Sequence, residues 1–254
     1  MTPDDTAAER KAFAELDAND AASAQTALVP LATKYPCRFE LQAAAGMAFA
    51  ETENISAALP FLRQAHTLRS SDDAIAFNLA LAELKSGNAE TALPLLQKLA
   101  FRSPKRADVQ LAFATALMQN KHPSDAAAAF QNASQTLTAL GQVMPLELRM
   151  DWASALMQNQ RPSEAQNVLH SSPGLEQSAP AMALLAEAAE AAGDYEQAAR
   201  AFERAAHLDP SETMIVAYGN ELLQHRTFGP AIEVLKYGTQ HFPESQRMHL
   251  ALGA

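Results

Sequence analysis

An internal repeat constrains this chain more than any other feature of its sequence. Residues 114–126 read ATALMQNKHPSDA and residues 153–165 read ASALMQNQRPSEA, so nine of thirteen residues are identical at a separation of 39. Residues 58–62, ALPFL, return 34 positions later as ALPLL. A period near 34 residues is typical of arrays in which one small supersecondary unit is stacked many times. The sequence therefore predicts a repeat protein.

One register accounts for the whole chain. An alanine recurs at intervals of 34, 34, 34, 39, 33 and 33 residues, at Ala24, Ala58, Ala92, Ala126, Ala165, Ala198 and Ala231. Twelve positions before each alanine stands a small residue, namely Ala12, Gly46, Ala80, Ala114, Ala153, Ala186 and Gly219. Four positions after it stands a large apolar one, namely Leu28, Leu62, Leu96, Phe130, Leu169, Phe202 and Leu235. Because two helices approach closely only where side chains are small, we expect the small pair at a helix crossing and the large residue beside it.

Turn formers and helix breakers separate the small pair in most repeats, among them Asn19, Gly87, Pro123, Pro162 and Gly193. Each repeat therefore predicts a helix A, a turn, a helix B and a second turn. The predicted repeats span approximately 5–38, 39–72, 73–106, 107–145, 146–178, 179–211 and 212–244, followed by a capping or truncated helix at 245–254. The 39-residue step predicts a long helix B in the fourth repeat, and the fifth helix B should end near His170.

Residues 193–210, GDYEQAARAFERAAHLDP, resemble the second helix of a tetratricopeptide repeat. That family's repeat has about 34 residues, with a large and a small residue in helix A, and alanine, a large residue, alanine and then proline in helix B. Lys11 departs from this pattern at the large position of the first repeat, and Ser70 and Thr138 replace the closing proline. The resemblance covers the whole chain. It implies an all-α fold, a right-handed superhelical α-solenoid that forms one domain over residues 1–254.

Composition and charge narrow the classes of partner. Hydrophobic residues make up 48% of the 254 residues, and the formal net charge is −10. A strongly acidic chain disfavours nucleic acid and anionic lipid, which need basic surfaces. No apolar run approaches the roughly 20 residues of a membrane span, so we expect no membrane insertion. The first residues contain no apolar signal-peptide region. We therefore expect a cytoplasmic location, or a periplasmic or exported one if a leader has been removed.

The sequence contains none of the motifs that most often carry catalysis. GxGxxG, GxxxxGK, GxSxG and HExxH are absent, so we expect neither a cofactor nor an enzyme activity. Cys37 stands alone, and the histidines fall at helix ends or in turns without metal-ligand spacing, so no metal site is predicted. Glu187 and Glu190 are interpreted as a solvated helix face. A basic turn is formed by Lys98, Arg102, Lys105 and Arg106; charges favoured at a helix C-terminus explain it, with an anion site as the alternative.

The resemblance also implies a concave surface lined by one stripe of each helix A. In the present register, that stripe occupies the positions fifteen, eleven and eight before each helix B alanine, which fall on one helix face. We call it the groove stripe, and the predicted partner-binding residues on it are Phe77, Leu81, Leu84, Leu111, Thr115, Met118, Met150, Ser154, Met157, Glu187, Glu190 and Asn220. Its centre is apolar and rich in methionine, which suits an amphipathic helix or an extended apolar peptide. The alternative is that these side chains pack between neighbouring helices A.

The sequence thus favours a non-enzymatic scaffold that binds a protein or peptide partner in its groove. Two alternatives stay open at this point. The chain could be a docking or regulatory module of a larger enzyme or assembly. It could also be a self-association module that forms a homo-oligomer through the same apolar stripe.

Overall fold

The computed structural model describes residues 1–253, and within this range it contains helices and no strand. The prediction of an all-α protein built from paired helices is confirmed. The chain divides into two compact units, Met1–His122 and Pro123–Ala254. The prediction of one continuous domain of seven repeats stays a prediction.

The first unit consists of seven helices of similar length. Their bounds are α1 (Pro3–Asp17), α2 (Ala21–Lys34), α3 (Phe39–Glu51), α4 (Ile55–Leu68), α5 (Asp73–Lys85), α6 (Ala89–Arg102) and α7 (Ala107–Gln119). Each helix packs against the next one in the chain, and α5 also packs against both α3 and α7. The helices A of the second, third and fourth repeats therefore lie side by side within this unit, as stacked helix pairs require.

The described part of the second unit, residues 123–253, contains the remaining eight helices. Their bounds are α8 (Pro123–Ala139), α9 (Leu146–Gln158), α10 (Pro162–His170), α11 (Ala179–Ala192), α12 (Tyr195–Leu208), α13 (Glu212–Gln224), α14 (Phe228–His241) and α15 (Gln246–Gly253), with a 3₁₀ turn at Leu175–Gln177. Consecutive helices again pack together, and α11 also packs against α9. At 17 residues α8 is long, and α10 ends at His170 after nine residues, so both predictions about helix length are confirmed.

A left-handed residue closes helix A in every repeat. The backbone φ is positive at the position five residues before each helix B alanine, at Asn19, Glu53, Gly87, Lys121, Gln160, Gly193 and Arg226. Only two of these residues are glycines, although glycine adopts this conformation without steric cost. The turn geometry is therefore constant along the chain while its sequence is not.

The small residue of helix A contacts the large residue of helix B. A Cβ added to Gly46 would stand 2.7 Å from Cγ of Leu62, and one added to Gly219 would stand 2.6 Å from Cδ2 of Leu235. Both leucines are fully buried, as are the helix B alanines one turn earlier. Close approach of the two helices is thus limited by the size of the helix A residue.

No helix among residues 1–253 combines the length and the apolar character that a membrane crossing requires.

Candidate functional site

In the first unit the groove stripe divides into core residues and surface residues. Leu84 is buried in a cluster with Ala80 and Leu96, so the prediction that it lines an open groove is wrong. Apolar side chains of α6 and of the next helix A, α7, belong to the same buried cluster and cover this position. Phe77 is half-buried, and the guanidinium carbon of Arg106 lies 5.0 Å from the centre of its ring.

Leu81 lies at a surface depression between α3 and α5. The depression has a volume of about 260 Å³ and is lined by Met47, Ala50, Glu51, Ile55, Asn78, Leu81, Ala82 and Lys85. Met47 is 39% exposed and occupies the position eleven residues before Ala58, equivalent to Leu81 in the next repeat. The sequence analysis began its stripe at the third repeat and missed Met47, although the register itself would have included it.

The other predicted residues of the stripe are distributed over both units. In the first unit, Leu111, Thr115 and Met118 on α7 are half-buried. In the second unit, Met150, Ser154 and Met157 on α9 are half-buried, whereas Glu187 and Asn220 are exposed. Half-burial at the α7 and α9 positions is compatible with a surface stripe and with packing between helices A. Of the predicted residues, Leu81 lines the same depression as Met47. Glu190 belongs to a cluster of ionisable side chains in the second unit.

Glu190 is not a freely solvated carboxylate. Its Oε1 accepts a hydrogen bond from Nε2 of Gln224 at 2.6 Å, and its Oε2 lies 3.0 Å from Nε2 of His225. Oε1 of Glu221 lies 3.4 Å from the same histidine nitrogen. Ligand atoms of Glu190, Glu221 and His225 all lie within 4.8 Å of one another. The C-terminal ends of α11 and α13 therefore place two carboxylates and one imidazole at a single point.

Glu221 is the buried member of this cluster. The residue is 4% exposed, and within residues 1–253 its Oε1 has no hydrogen-bond partner. Burial and the neighbouring carboxylate of Glu190 raise the pKa of Glu221 to about 7. The nearby His225 lowers this pKa but does not outweigh them. The ring of Tyr195 packs on the imidazole of His225, with the ring centres 4.2 Å apart.

The sequence analysis missed this cluster and placed the histidines in positions without metal-ligand spacing. Glu221 precedes His225 by four residues, which places the two side chains next to each other at the C-terminal end of α13. The prediction that the histidines bind no metal stays a prediction. The third member, Glu190, comes from α11. Glu190 and Glu221 are 31 positions apart in the sequence, so their proximity depends on how the two helices pack.

The basic turn of the first unit is partly neutralised. Nη1 of Arg102 donates to Asp73 at 2.8 Å, and Arg106 donates to both carboxylate oxygens of Asp108, at 3.2 and 2.6 Å. These contacts favour the interpretation of the turn as ordinary surface charge over an anion site. Exposed ion pairs of this kind contribute little to stability.

Comparison with known proteins agrees with this architecture. Residues 83–138 and residues 150–213 each match a tetratricopeptide repeat family model. The sequence has no significant match among curated proteins.

Several solved structures share the fold. The C-terminal part of a repeat protein from Cytophaga hutchinsonii has a TM-score of 0.72 at 13% identity, over 96% of this chain and 98% of that chain. YrrB, described as a tetratricopeptide repeat protein with an unusual peptide-binding site, has a TM-score of 0.63 at 16% identity, over 76% of this chain and 98% of that chain. MamA from Desulfovibrio magneticus RS-1 has a TM-score of 0.60 at 17% identity, over 69% and 98% of the two chains.

Stacked helix pairs with a recurring small–large contact define an α-helical repeat protein. The chain therefore contains tetratricopeptide repeats, in the two segments that match the family models. The fold is that of a protein–protein interaction scaffold, and the family is in general non-catalytic.

Proposed function

We propose that this chain is a non-enzymatic scaffold that binds a short apolar peptide or amphipathic helix on the helices A of its first unit. The observation that carries this proposal is the depression between α3 and α5. There Met47 and Leu81 stay accessible at equivalent positions of adjacent repeats.

The size of the depression suits a single apolar side chain of a bound peptide better than a small metabolite. Its volume of about 260 Å³ lies below the roughly 300–1,000 Å³ of typical small-molecule sites. Apolar anchors that enter pockets of this kind supply much of the affinity of a protein interface. Methionine adapts its shape to an irregular partner, which suits Met47 to this role.

Charged groups at the edge of the depression would fix the orientation of a bound peptide. Glu51 and Lys85 line it together with the apolar side chains. Opposite charges at an interface rim contribute mainly to orientation and association rate. The description of YrrB as a peptide-binding repeat protein supports a peptide as the class of ligand, on the level of shared fold alone.

The proposal is tested with a phage-displayed library of random peptides selected on the full chain. Selected peptides should share an apolar anchor, and binding of the synthesised peptide, measured by fluorescence polarisation, should weaken at least tenfold in Met47→Glu and in Leu81→Ser. Phe101→Ser is the matched control, because Phe101 is 88% exposed on α6 and does not line the depression. Peptides that bind both variants as tightly as the wild type would contradict the proposal.

Stability measurements separate a binding site from a core position. Surface substitutions usually change the free energy of unfolding by about 0.5 kcal/mol or less, so Met47→Glu should melt close to the wild type. Leu81 is half-buried and packs against the cluster that contains Leu84, so Leu81→Ser should melt somewhat earlier while its remaining folded protein still binds the peptide weakly. Early melting, with normal binding by the remaining folded protein, would identify Leu81 as a core residue. Self-association through the same surface predicts a mass that rises with concentration in light scattering and no longer does so in Leu81→Ser.

A further inference from the structure

We propose that Glu190, Glu221 and His225 form a binding site for one divalent transition-metal cation of the zinc type. The site lies in the second unit and is separate from the peptide site proposed above. Its donor set is one imidazole nitrogen and two carboxylate oxygens, all of which are common ligands of zinc.

The separations of the donor atoms fit a single ion. Zinc bonds to nitrogen and oxygen of about 2.0–2.2 Å place neighbouring tetrahedral ligands about 3.3–3.6 Å apart. Nε2 of His225 lies 3.0 Å from Oε2 of Glu190 and 3.4 Å from Oε1 of Glu221. All three donor atoms lie within 4.8 Å of one another, so the two carboxylates would draw together on binding one cation and leave a fourth position for water or a partner group.

The buried oxygen of Glu221 supplies an independent argument. Buried polar atoms without a partner are rare in proteins, because each one loses its hydration without compensation. Oε1 of Glu221 is such an atom within the described residues, and it points into the cluster toward His225. A cation at the cluster would satisfy this oxygen and offset the repulsion between the two carboxylates.

Residues beside the cluster hold its donor groups in place, as the neighbours of metal ligands commonly do. Gln224 donates to Oε1 of Glu190, which orients the carboxylate and leaves Oε2 directed at His225. The ring of Tyr195 packs on the imidazole and restricts its rotation. Glu190 and Glu221 lie in the last turns of α11 and α13, where the helix dipoles favour a positive charge.

The donor set also discriminates between metals. Magnesium and calcium prefer six or more oxygen ligands, whereas this site offers three protein donors including a nitrogen. We therefore expect zinc, or cobalt as its spectroscopic substitute, to bind in preference to magnesium. The bound ion would link α11 to α13 and stabilise the second unit, since a ligand that binds only the folded state shifts the unfolding equilibrium.

The test uses the full chain without an affinity tag, stripped with EDTA and dialysed. Titration with zinc chloride in a calorimeter should show one saturable site per chain, and magnesium chloride should show none. Cobalt should give the visible absorption of a tetrahedral centre. His225→Gln and Glu190→Gln should each weaken zinc binding at least tenfold.

Two control variants are available in the same chain. His122 and Glu233 are exposed and lie outside the cluster, so His122→Gln and Glu233→Gln should bind zinc as the wild type does. Glu190 is only partly buried, which makes Glu190→Gln the informative variant if a change at His225 impairs folding. Absence of saturable binding to the wild type, or equal binding by the cluster and control variants, would overturn the proposal.

Discussion

Arg63 on α4 and Glu83 on α5 form a two-pronged ion pair. Nε of Arg63 donates to Oε1 of Glu83 at 2.7 Å, and its terminal nitrogen Nη2 donates to Oε2 at 3.0 Å. Nδ2 of Asn88, which precedes α6, also donates to Oε2, at 2.8 Å. One carboxylate thus connects two consecutive repeats of the first unit, and its side chain is only 4% exposed.

Glu83→Gln should destabilise the protein at neutral pH. A hydrogen bond to a charged group contributes about 1.5–3 kcal/mol, and the exposure of the Arg63 side chain reduces this, so we expect a loss of about 1–2 kcal/mol. Glu164→Gln is the matched control, because Glu164 accepts two hydrogen bonds from Arg161 at an exposed site. Urea unfolding should show a change below about 0.5 kcal/mol for the control. Equal effects of the two substitutions would show that burial of Glu83 does not matter.

The same pair predicts a pH dependence. Burial opposes ionisation of Glu83, but the hydrogen bonds from Arg63 and Asn88 outweigh it and lower the pKa of Glu83 below 4.5. A carboxyl whose pKa is lower in the folded state contributes stability above its unfolded pKa and loses it as the pH falls through the folded value. The stability difference between wild type and Glu83→Gln should therefore be constant above about pH 5 and shrink toward pH 3. A difference that grows on acidification would contradict this assignment.

Gly219→Ala should destabilise the second unit despite the higher helix propensity of alanine. The added methyl group would stand 2.6 Å from Cδ2 and 2.8 Å from Cγ of Leu235, closer than packed carbons allow. Overpacking costs about 1–3 kcal/mol, against a gain of about 1 kcal/mol from propensity. In Asn220→Ala the substituted side chain is exposed on the same helix, so only a gain in helix propensity should appear. Thermal melting of the two variants should shift in opposite directions.

Gln160→Gly should stabilise the protein. Gln160 has a φ of 57° in the turn before α10, and the same turn position holds glycine at Gly87 and Gly193. A side chain in the left-handed region costs about 1 kcal/mol, part of which is offset by the greater freedom of glycine in the unfolded chain. We expect a gain of about 0.5 kcal/mol in urea unfolding. Gln158→Gly, at the end of α9, should instead lose up to about 1 kcal/mol, and a loss at both positions would mean that the turn is not strained.

The register could be predicted from the sequence because it rests on contacts that every repeat makes. The small residue and its large partner, such as Gly46 and Leu62, recur at fixed separations, so their periodicity shows directly in the sequence. The helix lengths around the 39-residue step followed from the same count.

The candidate sites could be predicted only in part. Leu84 and Leu81 lie three positions apart on α5, yet one is core and the other lines a surface depression, because a small rotation of the helix decides which side is covered. The cluster at Glu221 combines a visible spacing on α13 with Glu190 from α11. A contact that occurs in one repeat alone leaves no periodic signal in the sequence.

Glu221→Gln should stabilise the metal-free protein at alkaline pH. The carboxyl faces Glu190 and His225 in a buried position, and its pKa of about 7 lies above the ordinary value of 4.5. A carboxyl whose pKa is raised on folding contributes stability below the unfolded pKa and loses it as the pH rises through the folded value. The wild type therefore loses stability between about pH 5 and about pH 8, whereas the uncharged amide does not, and the difference should reach on the order of 1 to 3 kcal/mol.

Urea unfolding of both proteins in EDTA, at about pH 5 and at about pH 8, measures this difference in stability. Glu233→Gln serves as the control, because Glu233 is exposed on α14 in the same unit and its substitution should leave the pH profile unchanged. Since EDTA removes bound cations, the experiment reports on the carboxyl alone. A difference between wild type and Glu221→Gln that stays flat from about pH 5 to about pH 8 would show that Glu221 is ionised in the folded protein without cost.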